Sequence, residues 1–139
     1  MSPEKTKSLI EKYPLIFKNI TEPSSGHLYL PITLFMFECG DGWFNILDQL
    51  CSSIQHHINW KNKKESAVEQ VVADQVKEKF GTLRFYHTGG DDYIDGLVAM
   101  AESMSGVTCE DCGKPGRSRG FGWITTVCDE HAKERNIEV

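Results

Sequence analysis

Nothing in this chain approaches the roughly 18–20 consecutive apolar residues that a bilayer-spanning helix requires, so no segment is expected to cross a membrane. Familiar catalytic signatures are missing as well: there is no P-loop, no nucleophile elbow and no Gly-x-Gly-x-x-Gly turn. His-x-Glu is also absent, which excludes zinc chemistry of the deaminase kind, where that carboxylate moves the proton. Positive charge is in deficit, 15 Lys and Arg against 20 Asp and Glu, for a formal net charge of −5. Non-specific wrapping of duplex DNA needs the opposite balance, because phosphate neutralisation supplies most of that affinity. No internal repeat, low-complexity tract or heptad pattern is visible. The opening Met-Ser-Pro-Glu-Lys begins a polar amphipathic segment rather than a signal peptide, so a cytoplasmic location is expected.

What is present is an ordinary globular composition, 40% hydrophobic and 25% charged over 139 residues, which suits one α+β domain with a core of its own. Ser2-Pro3-Glu4 is a helix start, with Leu9, Ile10 and Tyr13 as the apolar side and Pro14 as the limit. Residues 21–26 read as a loop and residues 33–38 as a strand with Pro31 at its edge. Asp41, in the Gly40-Asp41-Gly42 turn, is placed to cap a helix to about Asn59, whose stripe is Phe44, Leu47, Leu50, Cys51, Ile54 and Ile58. Two β-rich runs, about 68–79 and 82–88, predict a hairpin turning at Phe80-Gly81-Thr82. Asp91 or Asp92 then caps a helix with the apolar face Ile94, Leu97, Val98, Ala101 and Met104, closed by Gly106. The expected architecture is a small, mainly antiparallel sheet covered by helices over residues 1–107. A zinc-ribbon-like module over residues 108–139 packs on that core.

The five cysteines carry the strongest signal. Cys109-Glu-Asp-Cys112 and Cys128-Asp-Glu-His131 are two hooks of soft ligands, the pattern of a closed tetrahedral site for one structural Zn²⁺. Four protein ligands leave no open position for water, so the site is read as a staple and not as a catalyst. Gly113, directly after the second cysteine, suits a turn that needs positive φ. A strand is expected near 121–127, and a short helix from Asp129 to about Arg135. Cys39 and Cys51 remain as buried free thiols, the simplest state in a reducing compartment.

Charge is uneven along the chain: residues 41–106 hold ten acids and six bases, whereas residues 113–127 hold Lys114, Arg117 and Arg119 without an acid. Phe121 and Trp123 follow, and bases interleaved with aromatics can bind single-stranded nucleic acid. The plainer expectation is that both aromatics pack the zinc module while the arginines are solvated. Asp74, Glu78, Arg84 and His87 load the hairpin with polar groups. They are read as ordinary cross-strand pairs, with a polar ligand site as the alternative. His56 and His57 point about 100° apart on a helix and are read as surface or satisfied side chains, not as a chelating pair.

Three segments taken together resemble a group of small uncharacterised proteins of bacteria and their phages. These are Glu38-Cys-Gly-Asp-Gly-Trp-Phe44, Val76-Lys-Glu-Lys-Phe-Gly-Thr-Leu-Arg-Phe-Tyr86, and Cys109–Gly116 with Gly122–His131. The resemblance implies a prokaryotic or phage setting and a metal tetrad at the four residues above, and it assigns no reaction. The leading functional expectation is a non-enzymatic, zinc-stabilised interaction protein with a protein partner. The alternatives are nucleic-acid binding through Lys114, Arg117, Arg119, Phe121 and Trp123, or a small enzyme built on the polar hairpin face.

Overall fold

The computed structural model describes residues 1–21 and 37–137, and its fold is α+β. Ser2 caps α1 (Pro3–Lys12) by accepting from the Lys5 amide, and Glu4 complements the positive end of the helix. Leu9 and Ile10 enter the core, while Tyr13, just past the helix, donates its hydroxyl to Asp48 Oδ1 at 2.6 Å. A short helix, α2 (Lys18–Thr21), follows. The expected loop at 21–26 and strand at 33–38 lie outside the described residues except for their ends. Phe37–Glu38 is β1, paired parallel to the next strand through Phe37–Val76 and Glu38–Lys77.

The long helix α3 (Phe44–Asn62) runs past its expected end at Asn59 and buries Leu47, Leu50, Cys51, Ile54 and Ile58. Asp41 does not cap it. A 3₁₀ turn over Asp41–Trp43 intervenes, and the Asp41 carboxylate accepts the Ser2 amide at 2.6 Å, tying the N-terminus to this turn. Strands β2 (Val72–Lys79) and β3 (Thr82–Thr88) form the expected antiparallel hairpin, with a bulge between Ala73 and Gln75. Its two-residue turn holds both Phe80 (φ 54°) and Gly81 (φ 79°) in the left-handed region, the type I′ geometry that matches strand twist.

Helix α4 (Asp92–Ser105) is capped by Asp91, which accepts from the Ile94 amide at 3.1 Å. Ile94, Val98 and Ala101 face the core, but Met104 is exposed because Ser105 takes the inward position in the last turn. Ser105 Oγ accepts the Leu83 amide at 2.8 Å and Glu102 the Phe85 amide at 3.0 Å, so the free edge of β3 is closed by side chains of α4. Sheet order is β1-β2-β3, and one cluster joins Val76, Leu83 and Phe85 of the sheet with Leu47, Ile54, Ile94 and Val98 of the helices. A second, two-stranded sheet of β4 (Arg117–Arg119) and β5 (Thr125–Val127) precedes α5 (Asp129–Glu134). The strand expected near 121–127 is therefore only its last three residues, since the chain reverses over residues 120–124 to pair Arg119 with Thr125. The second sheet has its own small core of Cys109, Val127 and Ala132.

Candidate metal centre

Cys109, Cys112, Cys128 and His131 lie together, with one ligand atom from each within 4.8 Å of all the others, and could bind a metal ion. The first hook is a tight turn in which the Gly113 amide donates to the Cys109 carbonyl at 2.9 Å. Gly113 sits at φ 78°, the conformation that its place after the second cysteine led us to expect. The second hook is the start of α5: Cys128 is its N-cap, and His131 one turn later swings Nδ1 to 3.2 Å from the Cys128 sulfur. Nδ1 also lies 3.6 Å from Cys109 Sγ, and the Cys112 and Cys128 sulfurs are 3.8 Å apart. The far ring nitrogen, Nε2, lies 3.7 Å from the exposed Glu134 carboxylate, a charge contact longer than a hydrogen bond.

Burial alone would push the Cys109 thiol up, but the amides of Cys128, Cys112 and Asp111 point at its sulfur and hold its pKa below the usual value. Burial raises Cys112, and the neighbouring thiols of Cys109 and Cys128 add to that. Contact with the Cys128 sulfur raises His131. The sulfur and the imidazole thus compete for a proton that a bound cation would displace, since ligation needs thiolates and a neutral imidazole.

The centre is built onto the main core by the Glu38–Phe44 segment, whose Gly40-Asp41-Gly42 was read as a turn with Asp41 as a helix cap and not as a docking surface. The Gly42 amide donates to the Glu110 carbonyl at 2.7 Å, and the Gly40 amide donates to the Glu110 carboxylate at 3.0 Å. A β-carbon at Gly42 would overlap the Cys109 carbonyl, and one at Gly40 the Glu110 carbonyl. The two glycines let backbone lie on backbone. Trp43, fully buried, donates its indole N–H to the Thr108 carbonyl at 2.9 Å. Burial, then the nearby Glu78 carboxylate, raise Glu110. On the other side, Thr126 Oγ1 donates to the Gly81 carbonyl at 2.6 Å, joining the β2–β3 turn to β5. Arg135 clamps Asp111 with two donors and reaches Thr125 Oγ1 at 3.0 Å. The signal that could have found this contact was in the sequence: two glycines flanking an acid, followed by a Trp with a donor to satisfy.

For the span between the hooks, the structure reverses the plainer expectation. Phe121 is fully exposed and Trp123 is 82% exposed, so neither packs the module. Arg119 is the buried member, 6% exposed, donating Nε to the Val127 carbonyl at 3.0 Å and Nη2 to Asp129. It is held inside by those two acceptors, one on β5 and one at the start of α5, whereas Phe121 and Trp123 on the turn are left in solvent. Arg117 and Lys114 are exposed. An open groove of about 820 Å³ runs along this surface between Arg117, Arg119, Phe121 and Trp123 on one side and Arg135 and Ile137 on the other. Trp123 also walls a smaller slot of about 210 Å³ with Ile124 and Phe80, an exposed aromatic that sequence reasoning passed over as part of a turn.

The polar hairpin residues do not converge. Glu78 pairs with Leu83 and shares the inner face with Val76, its carboxylate accepting the Gly81 amide at 2.7 Å. Arg84 pairs with Lys77 on the opposite face, Asp74 falls in the bulge, and His87 lies 3.8 Å from Asp95 of α4. Among the described residues no ion pair joins Arg84 to Asp74 or Glu78. His57 is buried, bonded to Asp91 at 2.8 Å and stacked on Tyr93, while His56 is exposed: a satisfied histidine linking α3 to α4, next to a surface one. Cys39 and Cys51 are free and buried, as expected.

No family model matches the chain, and neither a curated protein nor a solved structure matches it. No helix among the described residues is long and apolar enough to cross a membrane.

Proposed function

We propose that this chain is a non-enzymatic interaction protein in which a structural Zn²⁺ pins the base of the β4–β5 hairpin, and the exposed aromatic tip of that hairpin engages a protein partner. One observation carries the reading. Phe121 and Trp123 stand in solvent on the turn of a hairpin that lies between the two pairs of candidate ligands. Large aromatics left outside while an arginine is buried contribute nothing to this core, and they are the residue types that dominate protein-binding hot spots.

Zinc fits the donor set. Three thiolates and one imidazole are soft to borderline ligands and form a complete tetrahedral shell. With Zn–S near 2.3 Å and Zn–N near 2.0–2.1 Å, tetrahedral geometry requires about 3.8 Å between sulfurs and about 3.6 Å from sulfur to nitrogen. Two of the spacings, 3.8 and 3.6 Å, match these, the 3.2 Å contact is somewhat shorter, and all four atoms lie within 4.8 Å of one another.

Recognition of nucleic acid is less well supported by the same surface. Arg119 and Arg135 already hold Asp129 and Asp111, so two of the three groove arginines bring no unopposed charge for phosphates. The partner is sought in the bacterial or phage cytoplasm that the motif resemblance implies. Proteins retained from a lysate of the source cell by the wild-type chain are compared with those retained by a Phe121→Ser/Trp123→Ser variant. The reading expects a protein lost from the variant, and no binding of the wild type to single- or double-stranded oligonucleotides at low salt. Salt-sensitive oligonucleotide binding that disappears with the two aromatics would replace the protein partner with a nucleic acid.

A further inference from the structure

We infer that the partner's epitope is an extended peptide with an acidic side chain close to a large apolar one, seated across Trp123 between the tips of both hairpins. The inference rests on the protein-binding reading above and names the chemistry that the surface selects.

Trp123 is shared by two adjoining depressions of opposite character. One is the groove walled by Arg117, Arg119 and Arg135; the other is a small slot walled by Phe80 and Ile124 together with Glu78 and Lys79, whose opposite charges offset each other. The cationic side holds three guanidinium groups against the carboxylates of Asp111 and Asp129, which leaves one positive charge. That balance suits a single carboxylate better than a polyanion. Arg119 is committed inside the protein, with Nε on the Val127 carbonyl, Nη2 on Asp129 and Nη1 buried, so the exposed Arg117 is the guanidinium that a carboxylate entering the groove meets.

The apolar side has independent support from the backbone. Phe80 occupies a left-handed position (φ 54°) of a type I′ turn, where Asn, Asp or Gly is the unstrained choice, and its ring is 66% exposed. The side chain is therefore neither required by the turn nor buried in the core. Strain of this sort, kept at an exposed aromatic beside a second exposed aromatic, points to use of the ring by something outside the chain. The Thr126–Gly81 hydrogen bond holds the β2–β3 tip against strand β5, and Phe80 there shares the slot with Trp123.

The test pans a random dodecapeptide display library on the immobilised, metal-loaded full chain, with a Trp123→Ser chain as the counter-selection. The expected result is enrichment of peptides carrying Asp or Glu within a few positions of a large apolar residue. A synthetic consensus peptide should bind at least about tenfold more tightly than its Asp→Asn or Glu→Gln version, the effect of one charge-assisted hydrogen bond. Phe80→Asn should weaken that peptide several-fold while raising the thermal midpoint, a combination that a structural role for Phe80 would not give. Enriched peptides without an acid, an amide version that binds equally, or a Phe80→Asn chain that binds as well as wild type would each overturn the inference and leave the protein-binding reading standing. If no Trp123-dependent peptide is enriched, the inference fails; if oligothymidylate binds through Trp123 in addition, the protein-binding reading fails with it.

Discussion

One carbon atom at position 42 separates a docked metal turn from a displaced one. Gly42 lies directly against the Cys109 carbonyl, and its neighbour Trp43 uses its only polar group on Thr108. Gly42→Ala forces backbone apart, not a flexible side chain, so the expected loss is about 1–3 kcal/mol, typical of overpacking in a closely fitted region. Urea denaturation of the metal-loaded protein measures it, and a variant as stable as wild type would show that the contact is not close in solution. The two cysteines outside the tetrad are inert for a different reason. Burial drives the Cys39 thiol up to about 12 and raises Cys51 as well. Iodoacetamide at pH 8 is expected to leave both unmodified in the folded, metal-loaded protein, with mass spectrometry of digests as the readout.

At the level of elements, two carboxylates link helices. Asp48 of α3 accepts the Tyr13 hydroxyl beyond α1 and also pairs with Lys12, and Asp91 at the start of α4 accepts from His57 of α3. Hydrogen bonding from Tyr13 holds Asp48 below its ordinary value of 3.8, and the bond to His57 does the same for Asp91. A folded-state pKa below the unfolded one means that the stabilisation is complete above the unfolded value and is lost as pH falls through the folded one. Thermal midpoints are therefore expected to hold from neutral pH to about pH 5 and to fall below pH 4. Asp48→Asn should flatten part of that fall; an unchanged profile would remove Asp48 from the account. The helix over 44–62 and the hairpin at 72–88 were legible because apolar period and turn residues agree with the tertiary packing. The strand near 121–127 was misplaced because Phe121 and Trp123 look like core residues in a window that also holds Thr125–Val127. Hydrophobic pattern cannot distinguish an aromatic held outside from one packed inside.

For the molecule as a whole, the two hydrophobic clusters predict an uneven response to metal loss. The main core spans the sheet and the long helices, whereas Cys109, Val127 and Ala132 are too few to hold β4, β5 and α5 alone. Removing the ion with a strong chelator is expected to raise amide exchange across residues 108–137 and in the Gly40–Trp43 turn that leans on them. Amides of α3, β2 and β3 should stay protected. Global unfolding would show that the metal supports the main core too, as it does in small zinc-dependent modules. Acid should act in the same direction, since thiolates and a neutral imidazole are needed for ligation.

The sequence by itself determined the candidate ligand set, the helices and the central hairpin, because each rests on short-range chemistry: ligand spacing, helical period, and the residues allowed in turns. It also carried the glycines of the 40–42 turn, although not their purpose. Tertiary structure alone decided which of the basic and aromatic side chains between the hooks are exposed. Whether Arg119 or Trp123 goes inside depends on acceptors contributed by Val127 and Asp129 after the chain has turned back, and the meeting of Phe80 with Trp123 brings together residues 43 positions apart. Such contacts depend on where the metal turn docks, and no local pattern encodes that.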